Sequence, residues 1–346
     1  MILDYEAMLI RLFAADGHYT LTNANNGQSQ SHNYHRRNVY RAKIPYLWSE
    51  LPSHGFKLKT YEEVVNSNLY KFSPYTQLTQ EQKEVMKQTL RAFIDTLKEG
   101  KAGTTVINGG AGTGKSLVGI KLIHILTNLN DYSSHDSFSD YDEEWELLCN
   151  ELIAFQKNIG REIRVAYVAP MQSFKHDLQK VFKQTAGLKT DMLKNTSDIS
   201  DNMTGYYDLV IVDEAHRLKH KKNMGMTIGQ FYKNCKRHGL DKNTANQLDL
   251  IMAMSKYRVL FYDQRQSVKP ADLTHDEFEA SINKEGQTSP QWLYLKSQLR
   301  CQGGDDFIDY INDIFDCKNP EKHKIENYDF RIFNDIDDMV CAIKEH

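Results

Sequence analysis

The segment that decides the fold of this chain is Gly109-Gly110-Ala111-Gly112-Thr113-Gly114-Lys115-Ser116. It matches G-x-x-x-x-G-K-S/T, the pattern of a phosphate-binding loop. Residues 104–108, just before it, are mostly β-branched and apolar, which is typical of a buried strand. Apolar residues at helical spacing follow it. A strand, a glycine turn and a helix in this order aim backbone N–H groups and the positive end of a helix dipole at an anion.

This loop also predicts its ligand. We expect Lys115 to neutralise the β- and γ-phosphates of a nucleotide and the Ser116 hydroxyl to hold Mg²⁺. The glycines let the backbone close around phosphate oxygens because they carry no Cβ atom. A chance match in a glycine-rich turn is the alternative, and the strand and helix on either side argue against it. The sequence therefore predicts ATP and Mg²⁺ as ligands, bound by residues 109–116.

A second pattern is an apolar strand that ends in two acidic residues. Residues 209–212 are all apolar, which favours burial on both faces, as in a parallel sheet. Asp213 and Glu214 follow at its carboxyl end. Two adjacent carboxylates are costly there unless they serve a cation and a substrate. We predict that Asp213 binds Mg²⁺ and that Glu214 orients and deprotonates an attacking water molecule.

Three further side chains are candidates for the nucleotide site. Each of them has a second interpretation or is supported by less of the sequence. Gln82 can close a capping box with Thr79, and its carboxamide can also read an adenine edge; the two roles are compatible. Gln266 follows a buried strand at residues 258–262 and could sense a γ-phosphate. Arg300 lies beyond the last strand, where it could stabilise transferred phosphoryl charge or form an exposed salt bridge.

Basic stretches give a less specific signal for nucleic acid. Residues 35–43 mix basic and aromatic side chains, and we interpret them as a solvated helix face rather than a phosphate-backbone contact. For residues 219–222 a nucleic-acid contact and a solvated charge run stay open. Residues 171–175 follow a buried strand, so they form either a ligand-contact segment or an ordinary loop.

Composition narrows the class of protein. The 346 residues suit two or three structural units, and 40% hydrophobic residues suffice for a large core. A net charge of −3 means that any nucleic-acid surface must be local. The five scattered cysteines predict reduced, buried thiols and a cytoplasmic protein. Residues 1–15 do not form a secretory signal, and no apolar run approaches the roughly 20 residues that cross a bilayer.

The order of these motifs resembles that of superfamily 1 helicases. Gln82 corresponds to the adenine-reading glutamine of that group. Four further motifs have counterparts here, at residues 109–116, 213–216, 263–266 and 298–300. The details are most similar to the Schlafen group 3-like DNA/RNA helicase family, in its third motif at residues 263–270, its arginine segment at 298–301 and a following strand at 328–333. The resemblance covers about Leu78 to the C-terminus, and nothing specific is recognised in residues 1–75.

The resemblance implies an α/β, RecA-like P-loop NTPase fold, with a parallel sheet and helices on both faces. We divide the chain into an N-terminal extension (1–75), an ATPase domain (76–290), and a stub (291–346) that begins a second RecA-like domain without completing it. Helicases of this type need both domains to move, so we do not expect this chain alone to unwind a duplex. We interpret it as a fragment; a split protein and an ATP-gated switch stay open.

Two functions follow from this resemblance. The first is an ATPase core that works with single-stranded DNA or RNA. The second is an ATP-gated switch or sensor that acts with a nuclease or defence partner, or with a missing C-terminal lobe, and has no motor activity. A small-molecule kinase fits less well, because residues 213–216 suit the activation of water.

Overall fold

The structure is a computed structural model that describes residues 2–19, 37–76, 78–132, 143–201, 204–221, 224–266, 269–284, 287–297, 304–318, 331 and 333–345. The chain divides into two compact units. The first comprises Met1–Gly110 and Lys115–Leu295, and the second comprises Ala111–Gly114 and Lys296–His346.

A parallel sheet forms the centre of the first unit. Its strands are β1 (Gly103–Gly109), β2 (Val165–Val168), β3 (Leu193–Lys194), β4 (Tyr207–Val212), β5 (Ser255–Tyr262) and β6 (Gln291–Leu295). They lie in the order β3-β2-β4-β5-β1-β6, and every pair is parallel. β1, β2 and β4 are almost entirely buried, which explains their apolar sequences. The predicted α/β class with a parallel sheet is confirmed.

The described residues contain fifteen α-helices. They are α1 (Ile2–Asp16), α2 (Arg37–Arg41), α3 (Ile44–Glu50), α4 (Tyr61–Asn66), α5 (Asn68–Lys71), α6 (Gln80–Glu99), α7 (Lys115–Thr127), α8 (Leu129–Tyr132), α9 (Glu143–Ile159), α10 (Gln172–Gln184), α11 (Ile228–Arg237), α12 (Gln247–Met254), α13 (His275–Ile282), α14 (Gly304–Phe315) and α15 (Ile336–Glu345). The first thirteen belong to the first unit and the last two to the second.

The two faces of the sheet carry separate apolar clusters, because successive strand residues point to opposite faces. On one face Ile211 and Phe261 pack with α6, α7, α9 and α10. On the other face Val210 and Leu260 pack with α12 and α13. α7 approaches the first face closely: a Cβ atom on Gly119 would lie 2.6 Å from the Phe261 ring. Helices therefore cover both faces, as predicted.

The described N-terminal residues form a small helical cluster around Trp48. Its side chain is buried, and its Nε1 donates to the Lys59 carbonyl at 2.9 Å. α5 connects this cluster to α10, where Asn68 Nδ2 donates to Asp177 Oδ2 at 2.8 Å. The cluster belongs to the same compact unit as the sheet. At the other boundary the sheet continues past residue 290 to Leu295, because β6 pairs with β1.

The prediction that the cysteines are buried holds for two of the four that the structure describes. Cys149 and Cys235 are free and buried, as predicted. Cys317 and Cys341 are free but exposed, which corrects the prediction. Both lie in the second unit. There α15 has no buried residue, and Phe315, the last residue of α14, is 80% exposed.

Several predicted features lie outside the described residues. They are His35, Arg36, Lys222, residues 298–301 with Arg300, and most of the strand predicted at 328–333. Within the described residues, none of the helices has the length and apolar character needed to cross a membrane.

Candidate active site

Three strands end at the same edge of the sheet and bring the predicted site residues together. β1 leads to Lys115, β4 leads to Asp213 and Glu214, and β5 leads to Asp263. Because the strands are parallel, all of these residues follow carboxyl ends at one edge, where open α/β sheets bind ligands. We call Lys115, Asp213, Glu214, Asp263 and Gln266 the strand-end cluster.

The glycine loop between β1 and α7 has the backbone conformation that its sequence requires. Gly112 and Gly114 have φ angles of 84° and 85°. Side chains with a Cβ atom rarely adopt this left-handed conformation, so glycine is needed at both positions. α7 begins at Lys115, immediately after the loop. Its first backbone N–H groups have no partner within the helix and are available to an anion at this end.

Lys115 is buried, although it carries a charge, and its contacts explain why this is tolerated. Nζ donates to the carbonyl oxygens of Gly109 at 2.5 Å and Gly110 at 2.8 Å. It also lies 3.9 Å from Asp263 Oδ2. Two carbonyls and a carboxylate thus replace the water that the ammonium group loses on burial. The ammonium group therefore lies beside the first two residues of the glycine loop.

Asp213 is a fully buried carboxylate that is surrounded by hydrogen-bond donors. Tyr167 Oη donates to Oδ2 at 2.7 Å, and the Glu214 N–H donates to Oδ1 at 3.0 Å. The Ser116 hydroxyl also donates to this carboxylate. Burial raises the pKa of Asp213 above its ordinary value, even though these hydroxyls and the Lys115 charge oppose the shift. In the described part of the chain, Lys115 is the cation that opposes this shift, and its effect is the smallest of those that act on Asp213.

Glu214 has a backbone conformation that is unusual for its residue type. Its φ and ψ angles are 48° and 47°, and among the described residues only Cys317 is another non-glycine with positive φ. Such a conformation costs free energy and is found mostly at functional sites. Burial alone would raise the pKa of Glu214, but His216, Lys115 and Arg217 together lower it. The carboxylate is thus kept ionised and partly exposed, as a base must be.

His216 connects Glu214 to the end of β5. Its Nδ1 accepts a hydrogen bond from the Asp263 backbone N–H at 3.2 Å. In the neutral ring the proton is therefore on Nε2. This nitrogen lies 2.9 Å from Glu214 Oε2, close enough for electrostatic attraction, although the two atoms are not aligned for a hydrogen bond. Asp263 in turn accepts from Gln266 Nε2 at 2.7 Å, through the oxygen that faces Lys115. One chain of contacts links the residues that follow β1, β4 and β5.

Gln82 forms the predicted capping box at the start of α6. Its Oε1 accepts from the Thr79 N–H at 3.0 Å, and the Thr79 hydroxyl accepts from the Gln82 N–H at 3.2 Å. The side chain is 1% exposed. The structural role is thus visible, and a second role in reading adenine stays a prediction.

Sequence reasoning missed Tyr167 and the linking role of His216. Both contacts depend on which strands are neighbours, and the sequence does not show this. A signal for Tyr167 was present, because it is the one hydroxyl-bearing residue in the otherwise aliphatic strand β2. His216 was quoted within its motif, but no pattern indicates that its ring reaches Asp263.

The basic side chains near this edge differ in their exposure. Lys175 is mostly buried and donates to Asn195 Oδ1 at 2.9 Å, which anchors α10 to the loop after β3. Lys219 is exposed, and Lys221 donates to Asn243 Oδ1 at 3.1 Å. Among the described residues of this basic loop, Lys219 is therefore the one with the most access to an external partner.

Ser116 and Asp213 are the residues that could hold a metal ion at this site. Their hydroxyl and carboxylate oxygens are hydrogen-bonded to each other, and hard oxygen donors are what Mg²⁺ prefers. In the described part of the chain, no group of three or more His, Cys, Asp or Glu could hold a metal. A Mg²⁺ that is shared with phosphates and water needs only one or two protein ligands. The poorly compensated charge of Asp213 fits such an ion.

A comparison with protein-family models decides the family. The model described as "Schlafen group 3, DNA/RNA helicase domain" matches residues 103–346, which is more than half of the chain. The chain belongs to this Schlafen group 3 helicase family. The match contains the entire strand-end cluster, whereas Gln82 lies before it.

One curated relative of this Schlafen group 3 domain is similar along most of the chain. The uncharacterized protein YPL245W of Saccharomyces cerevisiae is 24% identical over 296 residues. The alignment covers 78% of this chain and 58% of the yeast protein. The chain therefore spans less than two thirds of the length of this relative.

Among solved structures, similar chains include two helicases and a nucleotide-bound protein. Pif1 helicase from Candida albicans has a TM-score of 0.30 and 16% identity, over 69% of this chain and 44% of that chain. DnaA from Aquifex aeolicus, bound to AMPPCP, has a TM-score of 0.29 and 15% identity, over 75% and 61%. Bacteroides Pif1 bound to ssDNA has a TM-score of 0.28 and 13% identity, over 78% and 56%. Scores of this size support no functional conclusion, so the family match alone supplies the assignment.

Proposed function

We propose that this Schlafen group 3 helicase domain binds ATP and hydrolyses it with Mg²⁺. The observation that carries the proposal is the strand-end cluster. A buried ammonium, an acidic pair and a third carboxylate follow three parallel strands at one edge of the sheet. The glycine loop and the start of α7 complete the arrangement with backbone N–H groups for phosphate.

We assign binding roles to the residues that follow β1 and β4. Residues 109–116 bind the phosphates, and Lys115 exchanges its contacts with the Gly109 and Gly110 carbonyls for β- and γ-phosphate oxygens. Ser116 and Asp213 hold Mg²⁺, which would neutralise charge on the phosphates when bound. Gln82 contacts the adenine. These assignments support ATP as the nucleotide.

We assign the chemical step to Glu214. Its carboxylate accepts a proton from water as the water oxygen forms a bond to the γ-phosphorus and the bond from that phosphorus to the β-γ bridging oxygen breaks. The His216 contact keeps the carboxylate oriented and ionised before the reaction. Gln266 senses the γ-phosphate next to Asp263, and Arg300 stabilises the transferred phosphoryl charge.

We further propose single-stranded DNA or RNA as the partner of this ATPase, following the description of its family. The activity that we propose for this domain is ATP hydrolysis. The free, buried thiols of Cys149 and Cys235 agree with a reducing compartment such as the cytoplasm.

The test compares two variants of the strand-end cluster. Lys115→Ala should abolish tight binding of a fluorescent ATP analogue, because the phosphates lose their cation. Glu214→Gln should keep this binding and slow hydrolysis by about 10²–10⁴-fold, because only the base is removed. The exposed Lys157→Ala and Glu162→Gln are matched controls and should behave like wild type. Equal loss of nucleotide binding in Lys115→Ala and Glu214→Gln would contradict the assigned roles.

A further inference from the structure

A cavity of about 710 Å³ lies at the amino ends of the strands, away from the strand-end cluster. Its lining includes Lys101 and Ala102 before β1, Gly205 before β4, and the first residues of β5. Apolar side chains of three helices and one loop complete it, namely Leu97, Phe155, Ile159, Met252 and Leu240. Ligand pockets in proteins have volumes of about 300–1,000 Å³ and mostly apolar walls. The cavity has the size and character of a small-molecule site.

Arg258 is the unusual residue of this cavity. It lies on β5 and is 1% exposed. Its Nη1 donates to the Gly103 carbonyl at 3.1 Å and to the Lys256 carbonyl at 3.4 Å. Its Nη2 donates to the Met252 carbonyl and to Gln287 Oε1, both at 3.4 Å. Three of these four bonds are longer than the usual 2.7–3.2 Å, so the guanidinium is weakly held.

Arg258 also lacks a counter-charge. In the described part of the chain its Nε has no hydrogen-bond partner, and every acceptor of its other nitrogens is a neutral oxygen. Burial lowers the pKa of this guanidinium to about 10. A buried charge without a carboxylate costs free energy, and buried arginines are normally paired. An anion in the cavity would supply the missing charge.

The charged residues around the cavity also favour an anion. Lys101, Lys256 and Lys284 line it with Arg258, whereas Asp249 is the acidic residue among the lining residues. Lys284 pairs with Asp249 at 2.6 Å, and Lys256 pairs with Asp208 at 3.0 Å. Since Arg258 has no such pair, the cavity wall keeps an excess of positive charge at its most buried point.

We infer that this cavity binds a small organic anion, whose carboxylate or phosphate group contacts Arg258 and whose apolar body contacts Leu97, Phe155 and Met252. A purely structural role would require Arg258 to fasten β5 to β1 and α12. Three of its four Nη bonds are long and all four go to neutral oxygens, so it joins these elements weakly, and its Nε hydrogen has no partner among the described residues. The site is separate from the strand-end cluster and does not depend on the proposed ATPase function.

The test uses the full chain and two probes with the same ring, 1-naphthoate and the uncharged 1-naphthalenemethanol. Isothermal titration calorimetry should show one site that binds 1-naphthoate at least tenfold more tightly, because only the carboxylate can pair with Arg258. Arg258→Met should remove this preference. Lys115→Ala should bind both probes like wild type, because its phosphate loop is elsewhere. Equal affinity for the two probes, or loss of 1-naphthoate binding in Lys115→Ala, would overturn the inference.

Two further variants keep the inference testable if Arg258→Met does not fold. Lys101→Gln removes an exposed charge at the rim and should weaken 1-naphthoate binding several-fold. Ala253→Phe adds a ring to the lining and should abolish binding of both probes. The exposed Lys157→Gln is the matched control and should leave binding unchanged. If both Lys101→Gln and Ala253→Phe bind 1-naphthoate like wild type, the cavity is not the site.

Discussion

His216 is a buried residue whose two ring nitrogens face different motifs. Nδ1 accepts from the Asp263 backbone, and Nε2 lies against Glu214. The first contact fixes the ring, and the fixed ring then restrains a carboxylate that follows a left-handed backbone. We therefore interpret His216 as a positioning residue for the proposed base.

We predict that His216→Ala slows ATP hydrolysis by about ten- to a hundredfold, a fraction of the 10²–10⁴ that a general base contributes. The KM for ATP should change little, because Lys115 and residues 109–116 are untouched. Steady-state kinetics and binding of a fluorescent ATP analogue measure the two effects. His54→Ala, at an exposed site, serves as the control. A large rise in KM with unchanged kcat would show that His216 acts on binding instead.

The residues of the strand-end cluster differ in how far the sequence predicts them. Lys115, Asp213 and Glu214 lie in short motifs directly after β1 and β4. The order of residues within each motif is enough to predict that they follow the carboxyl end of a strand. The contacts of Tyr167 and His216 cross from one strand to another. They depend on register, such as the pairing of Tyr167 with Ile211, which no local pattern encodes.

At the level of single elements, Gln82 at the start of α6 has two proposed roles. It caps the helix, and we propose that it also contacts adenine. Thr79 and Gln82 hold each other in the capping box. Each removal should therefore cost similar stability, while only Gln82 carries the carboxamide that suits adenine. The pair is a built-in control for the adenine assignment.

We predict that Thr79→Ala and Gln82→Ala each lower the free energy of unfolding by about 1 kcal/mol. Only Gln82→Ala should weaken ATP binding and reduce the preference for ATP over GTP. Urea denaturation and nucleotide competition measure the two effects. If Thr79→Ala changes nucleotide preference as much as Gln82→Ala does, the glutamine is only a cap.

The start of β4 is fastened by one buried carboxylate. Asp208 accepts from Arg161 at 2.5 Å and 3.0 Å, from the Arg164 N–H at 2.9 Å and from Lys256 at 3.0 Å. Burial raises the pKa of Asp208, but these donors outweigh burial and hold it below its ordinary value. A depressed pKa in the folded state means that the ionised form stabilises the fold at neutral pH.

We predict that Asp208→Asn lowers the free energy of unfolding at pH 7 by about 2 kcal/mol. This is less than the 3–5 kcal/mol of a fully buried pair, because Arg161 and Lys256 are partly exposed. The difference from wild type should begin to shrink as the pH falls below the ordinary aspartate pKa of about 4, which applies to the unfolded chain, and should disappear as the pH falls through the lower pKa of Asp208 in the folded state. Urea denaturation at both pH values measures this. The exposed Asp191→Asn should show no such difference at either pH.

The sequence predicts the main elements well and the short ones poorly. β1, β2, β4 and β5 are apolar enough to be found, with ends shifted by a few residues at most. β3 has two residues, too few for a periodic pattern. The polar composition of residues 130–144 is typical of a surface insertion, yet Tyr132 of α8 is buried and its hydroxyl lies 2.7 Å from His124 Nδ1. This packing is tertiary, so composition did not show it.

At the level of the whole molecule, the proposed partner is a long polyanion. With a net charge of −3, binding must depend on local cations, and the exposed Lys219 and Arg265 follow β4 and β5 on the side of the strand-end cluster. Phosphate contacts release counterions, so affinity depends on salt.

We predict that single-stranded DNA or RNA stimulates the ATPase. Its affinity should fall linearly with salt on a log–log plot, with a slope of about −0.7 for each phosphate contact. Lys219→Ala should weaken binding and make the slope shallower by about one contact, while Lys157→Ala should not. Fluorescence anisotropy measures both. Affinity that does not change with salt would exclude a phosphate-backbone interface.

The sequence predicted the fold class but not the arrangement of the strands. Chain order runs from β1 to β6, whereas the spatial order is β3-β2-β4-β5-β1-β6. Neighbours such as β1 and β5 are separated by about 150 residues along the chain, and no local pattern specifies such pairings. For the same reason the division at residue 75 was drawn from the lack of motifs, while packing places the described N-terminal helices in the unit of the sheet.

The position of β5 has one further consequence. It separates β1 from β4, so the loop that carries Lys115 and the turn that carries Glu214 are two strand intervals apart, roughly 10 Å. Ser116 nevertheless reaches Asp213 across the end of β5, and Lys115 reaches Asp263, which directly follows β5. The strand between the proposed cation and the proposed base therefore separates their two strands and adds a carboxylate of its own between them.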